Sequence, residues 1–282
     1  MESSTQKKYC IAVDGSDNSD WAFDLVLNEL YQKGDKVVIV HIANPNKSDV
    51  PFAFQANSIV SKYEARLTGK LLKQDYLMIK QDKANNNNHA LHQVNQIAVT
   101  NNCTVLVLGF HGYKKNKQPN EVSKGISFIM SNIKLPTIIV KENSSRKNKN
   151  SSSFTWLTSI EQANTRSFKA FQFAVHYINP QVDKVVGCHI KLYNSSVDSE
   201  VKDLFESFCQ SQSVANYDFK YLENDRSNVG NQISNFVNFN ETDSIDFVVL
   251  GHNPNKYSGG DNGSSPLTEV IKSAKANILF YC

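Results

Sequence analysis

The two halves of this chain carry the same apolar segments in the same order, and this internal repeat constrains the fold more than any other feature. The matching pairs are "VVIVHI" at 37–42 with "VVGCHI" at 185–190, "TVLVLGFHG" at 104–112 with "DFVVLGHNP" at 246–254, and the segments that begin at Ile126 and Leu267. Their offsets of 148, 142 and 141 residues stay nearly constant, whereas chance matches would scatter. Repeated order and spacing indicate two copies of one structural unit.

Each half alternates between short apolar runs and segments with helical periodicity. In the first half the apolar runs are Cys10–Val13, Val37–Ile42, Tyr76–Ile79, Val105–Leu108 and Thr137–Val140. Helical segments separate them at 21–31, 57–73, 91–100 and 128–133, and the second half repeats them at 168–177, 201–209, 229–239 and 267–274. Continuous apolar runs are typical of strands buried on both faces of a parallel sheet. The sequence therefore predicts an α/β protein with a doubly wound, five-stranded parallel sheet in each half.

A polar segment, "ENSSRKNKNSSS" at 142–153, lies near the midpoint of the chain and contains no apolar residue. Such a composition is typical of a flexible linker. We therefore predict a first domain at 1–142, a linker at 143–153 and a second domain at 154–282.

Composition restricts the partners and the compartment. The 30 basic and 27 acidic residues are mixed along the chain and leave a net charge of +3, so we expect neither nucleic acid nor a membrane surface as a partner. No apolar run has the length of a signal peptide or a membrane span, which favours a cytoplasmic protein. The five cysteines have irregular spacing without a C-x-x-C pair, and we expect reduced thiols that are mostly in the core.

Three segments of the first half follow predicted strands directly: "VDGSDNSD" from Val13, "HIAN" from His41, and a loop that runs from Gly109 to Ser127. In doubly wound sheets, ligands bind at the carboxyl ends of the strands, where such segments meet. Glycines in a loop let the backbone approach a phosphate and adopt positive φ, while a helix N-terminus supplies amide donors. The three segments thus predict one candidate binding site in the first half.

The combination of "AVDGSDNSDWAF" with "VLVLGFHG", "GIS" and "PTIIV" resembles the universal stress protein family, with one copy in each half. The resemblance implies an adenine nucleotide alpha hydrolase-like fold, in which five parallel strands have the order 3-2-1-4-5 and are flanked by helices. It also implies a nucleotide loop. Some members bind ATP through a G-x2-G-x9-G-[ST] motif, whereas others lack the motif and do not bind ATP.

Carried over by position, the resemblance implies ATP with Mg²⁺ as the cofactor of the first half. Asp14 would contact the adenosine part, Ile42 would pack on the base, and the phosphates would be lined by Gly109, Gly112, Gly125 and Ser127. The loop departs from the motif, because twelve residues separate Gly112 from Gly125 and Ile126 stands where the motif has Ser or Thr. Its lysines, which are either phosphate partners or part of a solvated basic loop, are Lys114, Lys115 and Lys117.

Other interpretations of the acidic segment stay open. Asp14 is either a ligand contact or a loop carboxylate that accepts bonds from backbone amides, and Asp17 or Ser19 is a candidate cap of the following helix. The cluster Asp14, Asp17 and Asp20 invites a metal interpretation, but it lacks the glycine and the final glutamate of a calcium loop. We therefore expect no metal site without a nucleotide.

The second half departs further from the motif. Ser159 aligns with Asp14, and Pro254 stands in place of Gly112, where it removes a backbone donor. We expect no ATP binding in this half. His111 and His252 follow equivalent strands, and without a nucleophile or carboxylate partner in their motifs we expect surface-loop histidines and no catalytic residues.

Two functions remain from the sequence. The first half binds an adenine nucleotide whose occupancy orders the long loop for a protein partner, with at most slow ATP hydrolysis. Alternatively, neither half binds a nucleotide and the chain is an interaction module, such as a scaffold or an accessory subunit of a ciliary or cytoskeletal assembly. In both cases we expect an intramolecular pseudo-dimer, in which the apolar final strands "TIIV" and "NILF" face each other.

Overall fold

The computed structural model describes residues 6–46, 50–84, 89–112, 122–133, 135–141, 152–162, 165–191, 195–224, 228–240, 244–253 and 265–282. The chain divides into two compact units: Met1–Pro119 with Ser123–Ser144, and Asn120–Val122 with Ser145–Cys282. The linker expected at 143–153 lies outside the described residues except for its last two positions, so its boundaries stay a prediction.

The first unit is a parallel sheet with helices on its faces. Its strands are β1 (Lys8–Ala12), β2 (Lys36–Ala43), β3 (Tyr76–Asp82), β4 (Val105–Gly109) and β5 (Thr137–Val140). Its α-helices are α1 (Asp17–Leu25), α2 (Ala56–Thr68), α3 (Ala90–Thr100) and α4 (Lys124–Asn132). The strand order is β3-β2-β1-β4-β5, and every pair within the unit is parallel. The predicted fold class and strand order are confirmed.

The second unit repeats this arrangement. Its strands are β6 (Thr155–Ser159), β7 (Lys184–Ile190), β8 (Asn216–Leu222), β9 (Phe247–Gly251) and β10 (Asn277–Tyr281). Its α-helices are α5 (Arg166–Ala174), α6 (Ser195–Ser211), α7 (Val229–Phe239) and α8 (Pro266–Ser273). The order β8-β7-β6-β9-β10 places the strands in the same sequence as in the first unit. The internal repeat is therefore a repeat of topology.

The central strands of both units form the cores. Strand β4 is buried from Val105 to Leu108, and its counterpart β9 is buried from Phe247 to Leu250. In the second unit the Trp156 ring stacks on Phe247 with centroids 4.0 Å apart. Burial of these continuous apolar runs on both faces is what the sequence pattern requires, and it supplies the main stabilising free energy of each sheet.

Buried carboxylates at equivalent positions tie the amino ends of the first strands. In the first unit Asp35 accepts a hydrogen bond from the Lys7 amide at 3.0 Å. In the second unit Asp183 accepts from the Phe154 amide at 2.9 Å and from the Trp156 indole at 3.1 Å. Both carboxylates are at least nine-tenths buried and have backbone donors, which removes the cost of burying an unpaired charge.

All five cysteines are free thiols, and four of them are buried: Cys10 and Cys103 in the first unit, and Cys188 and Cys209 in the second. Burial raises the pKa of Cys188 to about 12 and that of Cys209 to about 12. A hydrogen bond with the Cys103 thiol, together with burial, raises the pKa of Cys10. Within the described part of the chain, no helix is both long enough and apolar enough to cross a membrane.

Candidate functional site

A cavity of about 930 Å³ lies in the first unit, at the carboxyl ends of β1, β2 and β4. Five of the six site residues predicted from the sequence line it: Asp14, Ile42, Gly109, Gly112 and Gly125. The sixth, Ser127, is exposed in the first turn of α4 and is not among the lining residues, whereas Ile126 is. Parallel strands bring their carboxyl ends to one edge, so segments far apart in sequence meet here.

The Asp14 carboxylate organises the loop between β1 and α1. Its Oδ1 accepts hydrogen bonds from the Ser16 amide at 3.0 Å and from the Ser16 hydroxyl at 2.6 Å. Ser16 is the N-cap of α1, and its Oγ accepts from the Ser19 amide. The cap is therefore Ser16, and the expectation that Asp17 or Ser19 caps this helix is wrong. Asp14 makes the loop contacts of the capping interpretation while it also lines the cavity.

Position 112 leaves no room for a side chain, because the Asp14 carboxylate lies against Gly112. A Cβ placed on Gly112 would lie 2.7 Å from Asp14 Oδ2, closer than real Cβ contacts come. Any side chain here would displace the carboxylate or the loop. Gly112 and Asp14, predicted as two separate contacts of a nucleotide, thus form one structural pair at the cavity wall.

Gly109 and Gly125 allow helices to approach closely. A Cβ on Gly109 would lie 2.5 Å from the backbone carbonyl carbon of Asn18 in α1. A Cβ on Gly125 would lie 2.9 Å from the Leu91 side chain of α3. Neither these two nor Gly112 has a positive φ, and the described glycines that have it are Gly15 and Gly34. Helix packing requires a glycine at 109, where a Cβ would meet the backbone, whereas at 125 a Cβ would meet only side chains, of which that of Leu91 is flexible.

Part of the predicted nucleotide loop, 113–121, lies outside the described residues, and with it Lys114, Lys115 and Lys117. The described remainder enters α4 through Ser123, whose Oγ accepts a hydrogen bond from the Ile126 amide at 3.1 Å. Four helices of the described part of the first unit begin at the cavity, because residues of the first turns of α1, α2, α3 and α4 line it. Helix N-termini present amide donors and a partial positive charge, which favour an anion.

His41 lies near the end of β2 and lines the cavity, although no role for its side chain was predicted from the sequence. The side chain is 6% exposed, and its Nδ1 lies 2.9 Å from the Val13 carbonyl oxygen. Because a carbonyl can only accept, Nδ1 carries the proton of this bond. Burial lowers the pKa of His41, against the opposing effects of the Val13 bond and the Asp14 carboxylate. The ring is therefore neutral at pH 7.

His89, which the sequence did not single out, is the N-cap of α3. Its Nδ1 accepts a hydrogen bond from the Leu91 amide at 3.2 Å, so in the neutral ring Nε2 carries the proton. The ring stacks on Phe128 with centroids 5.9 Å apart, and burial, together with Lys83, lowers its pKa. In their neutral forms, His89 has a hydrogen-bond donor at Nε2 and His41 has an acceptor at Nε2.

Charged side chains at the cavity are of both signs. The cationic ones are Lys80, Lys83 and Lys124, and the carboxylates are Asp14 and Asp82. Lys80 lies opposite His41 on the neighbouring strand β3. Asp20, the last member of the predicted acidic cluster, turns away to form ion pairs with Lys62 and Arg66 of α2. Among the described residues, no three His, Cys, Asp or Glu side chains are placed to hold a metal ion.

The second unit has a histidine at the position of His41. His189 Nδ1 lies 2.8 Å from the Ile160 carbonyl oxygen, as His41 Nδ1 lies beside that of Val13. This pairing makes Val13 and Ile160 equivalent, so Glu161 is the counterpart of Asp14. The alignment of Ser159 with Asp14 is therefore wrong. Sequence comparison misplaced it because the segments between β1 and α1 and between β6 and α5 differ in length.

The environments of the two histidines differ at the other ring nitrogen. His189 Nε2 lies 3.0 Å from Asp198 Oδ1 in the first turn of α6. Gly251 in β9 corresponds to Gly109, since a Cβ there would lie 2.4 Å from the Arg166 backbone of α5. Pro254, by contrast, lies outside the described residues. The second unit thus has the same close packing of a helix on a strand, and its His189 is bonded to a carboxylate of the same unit, that of Asp198.

The two histidines expected on surface loops are placed differently. His252 is 4% exposed, and its amide donates to the Tyr281 carbonyl at 2.7 Å. The expectation of a surface position is wrong for His252, because this hydrogen bond extends the β9–β10 ladder by one residue and draws the ring onto Phe280. His111 is half-buried and lines the cavity.

Two universal stress proteins are among the solved structures that match this fold. One from Archaeoglobus fulgidus DSM 4304 superimposes with a TM-score of 0.63 at 11% identity, covering 97% of this chain and 95% of that one. A putative universal stress protein from Pseudomonas aeruginosa UCBPP-PA14 gives 0.60 at 10% identity, covering 99% and 94%. This chain has the universal stress protein fold.

A domain of a transporter has a similar fold. The cytoplasmic domain of a prokaryotic cation chloride cotransporter matches with a TM-score of 0.51 at 10% identity, covering 98% of this chain and 95% of that domain. Searches of family models and of curated proteins gave no match. At these identities the likeness establishes the fold and leaves function to the site.

Proposed function

We propose that the first unit binds an adenine nucleotide with Mg²⁺ and that the chain has a regulatory, non-catalytic role in the cytoplasm. The observation that carries this proposal is the cavity of about 930 Å³ at the carboxyl ends of β1, β2 and β4. Its volume lies in the range of small-molecule and cofactor sites. Ile42 offers an apolar surface for a base, and the contacting pair Asp14 and Gly112, together with Gly109 and Gly125, also lines the cavity, which suits a ligand with a base at one end and phosphates at the other.

The electrostatic character of the phosphate end supports the same proposal. Residues from the first turn of α4 line the cavity next to Lys124, and Lys83 lies beside His89. Amide donors of helix N-termini and ammonium groups bind phosphate oxygens with charge-assisted hydrogen bonds. In this proposal Asp14 Oδ1 continues to brace the loop while Oδ2, on the side of Gly112, accepts from a ribose hydroxyl.

Isothermal titration of the full chain with Mg-ATP tests the proposal. We expect saturable heat with a stoichiometry near one, because only the first unit supplies the site. A double variant, Asp14→Ala with Gly112→Val, should abolish the heat, since the valine fills the wall of the cavity. Glu161→Ala in the second unit is the matched control and should bind as the unchanged protein does. A folded protein that gives only dilution heat rules the proposal out.

The interaction module stays as the second candidate, and one observation favours it for the second unit. There Asp198 from the chain itself bonds to His189, the counterpart of a histidine that lines the cavity in the first unit. At this position the second unit has no ring nitrogen left for a ligand, which favours a role in which the unit presents a surface to a protein partner. Absence of ATP binding in both units would make this the preferred function.

A further inference from the structure

The imidazole of His89 lies against a glycine of the predicted nucleotide loop. A Cβ placed on Gly125 would lie 3.0 Å from His89 Cε1 and 3.5 Å from Nε2, so the ring edge that carries Nε2 reaches the first turn of α4. Both residues line the cavity. His89 belongs to α3 and lies outside the loop, so a side chain from another element adds its chemistry to this part of the cavity.

The backbone makes His89 Nε2 a hydrogen-bond donor. Nδ1 accepts a hydrogen bond from the Leu91 amide at 3.2 Å, so the proton of the neutral ring is on Nε2. Burial, together with Lys83, lowers the pKa of His89 from 6.5, and the ring is therefore neutral at pH 7. None of the described residues accepts a hydrogen bond from Nε2, which leaves this donor for a ligand in the cavity.

The second unit shows that capping at this position does not require a histidine. Asn228 is the N-cap of α7, the counterpart of α3, and its Oδ1 accepts from the Gly230 amide at 2.8 Å. The residue two positions after the cap of each unit's last helix also differs: it is Gly125 in the first unit and Leu267, which is buried, in the second. The second unit has neither the imidazole nor the glycine, and the first unit has both at its cavity.

The groups around Nε2 favour an acceptor that carries negative charge. The ammonium-bearing residues Lys83 and Lys124 line this part of the cavity, whereas Asp82 is exposed at the end of β3. The Ile126 side chain has no polar atom, and its amide already donates to Ser123 Oγ. The first turn of α4 therefore has few donors of its own, and a donor from α3 beside Gly125 adds one. Phosphate oxygens are acceptors that suit ammonium groups and an imidazole N–H together.

We propose that His89 is a phosphate-binding residue, whose Nε2–H donates to a phosphate oxygen of a nucleotide beside Gly125. This proposal deepens the proposed function and rests on it. Hydrogen bonds to charged oxygens stabilise a complex more than those to neutral ones. The cap contact and the stacking on Phe128 already hold the ring, so the side chain loses little conformational entropy when the ligand binds.

Three variants of the full chain, each titrated with Mg-ATP, separate the donor from the cap. His89→Asn keeps a cap acceptor, as Asn228 does, but removes Nε2, and we expect it to bind ATP roughly 10- to 100-fold more weakly than the unchanged protein. His89→Gln places an amide N–H near Nε2 but is a poorer cap, so it should bind ATP more tightly than His89→Asn does.

His92→Asn is the matched control, because His92 lies on the same helix and packs on the same Phe128 ring without lining the cavity. It should bind ATP within about twofold of the unchanged protein. Circular dichroism and urea unfolding of the ligand-free variants check their fold.

The order of the affinities decides between the two roles of His89. A residue that only caps α3 predicts the reverse order, so an affinity of His89→Gln at or below that of His89→Asn would overturn the proposal. Adenosine, measured as a competitor of ATP, should lose no more than about twofold in His89→Asn. A loss equal to that of ATP would place the nucleoside at Nε2 and would also overturn it. If Mg-ATP does not bind the unchanged protein, the proposed function itself is wrong.

Discussion

At the scale of single residues, one repeated position has acquired two different environments. His41 and His189 both donate from Nδ1 to a carbonyl at the end of the adjacent first strand. In the second unit the Asp198 carboxylate lies beside the remaining nitrogen of His189. In the first unit burial favours the neutral ring. The partner of Nε2 at this position is therefore set by the helix that follows the strand, which supplies Asp198 in the second unit.

The buried histidines of the first unit predict a loss of stability in mild acid. The pKa values of His41 and His89 are lowered from 6.5 in the folded protein, mainly by burial, so below pH 6.5 the unfolded chain binds protons that the folded chain does not. The free energy of unfolding should therefore fall as pH decreases from 7 to 5. Each histidine contributes up to about 1.4 kcal/mol per pH unit.

Urea unfolding at a series of pH values measures this dependence. His41→Asn should reduce the slope of unfolding free energy against pH, because asparagine does not titrate, and His89→Asn should do so independently, since asparagine also suits a helix N-cap. An unchanged slope in the His41→Asn variant would contradict the lowered pKa.

The candidate site was predictable where spacing and side-chain chemistry coincide. Asp14, Ile42 and the glycines follow buried strands, so the topology carried them to one cavity. His41 was visible in the sequence as a repeated residue, but repetition alone does not separate a structural histidine from one that lines a cavity. The distinction depends on which side chain the helix after each histidine brings to Nε2 within its own unit, and tertiary packing decides this.

At the scale of elements, the strands were easier to predict than the helix ends. Continuous apolar runs located β1, β2, β4 and β5 within a few residues, because burial on both faces permits little else, and a shorter apolar run located the edge strand β3, which has no buried residue. Helix α4 was expected from Phe128 and begins at Lys124, and α6 was expected from Val201 and begins at Ser195. Polar and glycine-containing first turns conceal a helix start, which is set by the cap and by packing.

The contact between α1 and β4 predicts a specific sensitivity to an added methyl group. Gly109→Ala would place its Cβ 2.5 Å from the Asn18 backbone, and Gly251→Ala would place its Cβ 2.4 Å from the Arg166 backbone, so a helix must shift in each case. We expect each substitution to lower the free energy of unfolding by about 1 to 3 kcal/mol. Urea denaturation measures the loss.

Gly69→Ala is the matched control, because no atom lies within 4 Å of a Cβ placed at the end of α2. It should change stability by no more than about 0.5 kcal/mol. Equal effects of Gly69→Ala and Gly109→Ala would show that the close approach of α1 to β4 is not what constrains Gly109.

At the scale of the whole molecule, each unit contains the complete strand order of a universal stress protein domain. The sequence predicted this from three matched segments, since topology follows from the order of strands and from right-handed crossovers. The pairing of the two units stays a proposal from the apolar final strands, "TIIV" and "NILF". If these strands satisfy each other within one chain, the protein has no further need of a second copy.

This proposal predicts that the chain is a monomer. Light scattering coupled to size-exclusion chromatography should give a mass near 31.7 kDa over a wide concentration range. A mass of two chains, or one that rises with concentration, would indicate that an edge strand pairs between molecules instead.

The buried thiols allow the transient opening of each unit to be measured by chemical labelling. Each unit holds two of them, Cys10 with Cys103 and Cys188 with Cys209, and burial disfavours the reactive thiolate of Cys188 and Cys209. An alkylating reagent can reach them only while the surrounding unit is transiently open. The time course of labelling, read peptide by peptide in a mass spectrometer, would therefore time the opening of each half separately and without an introduced probe.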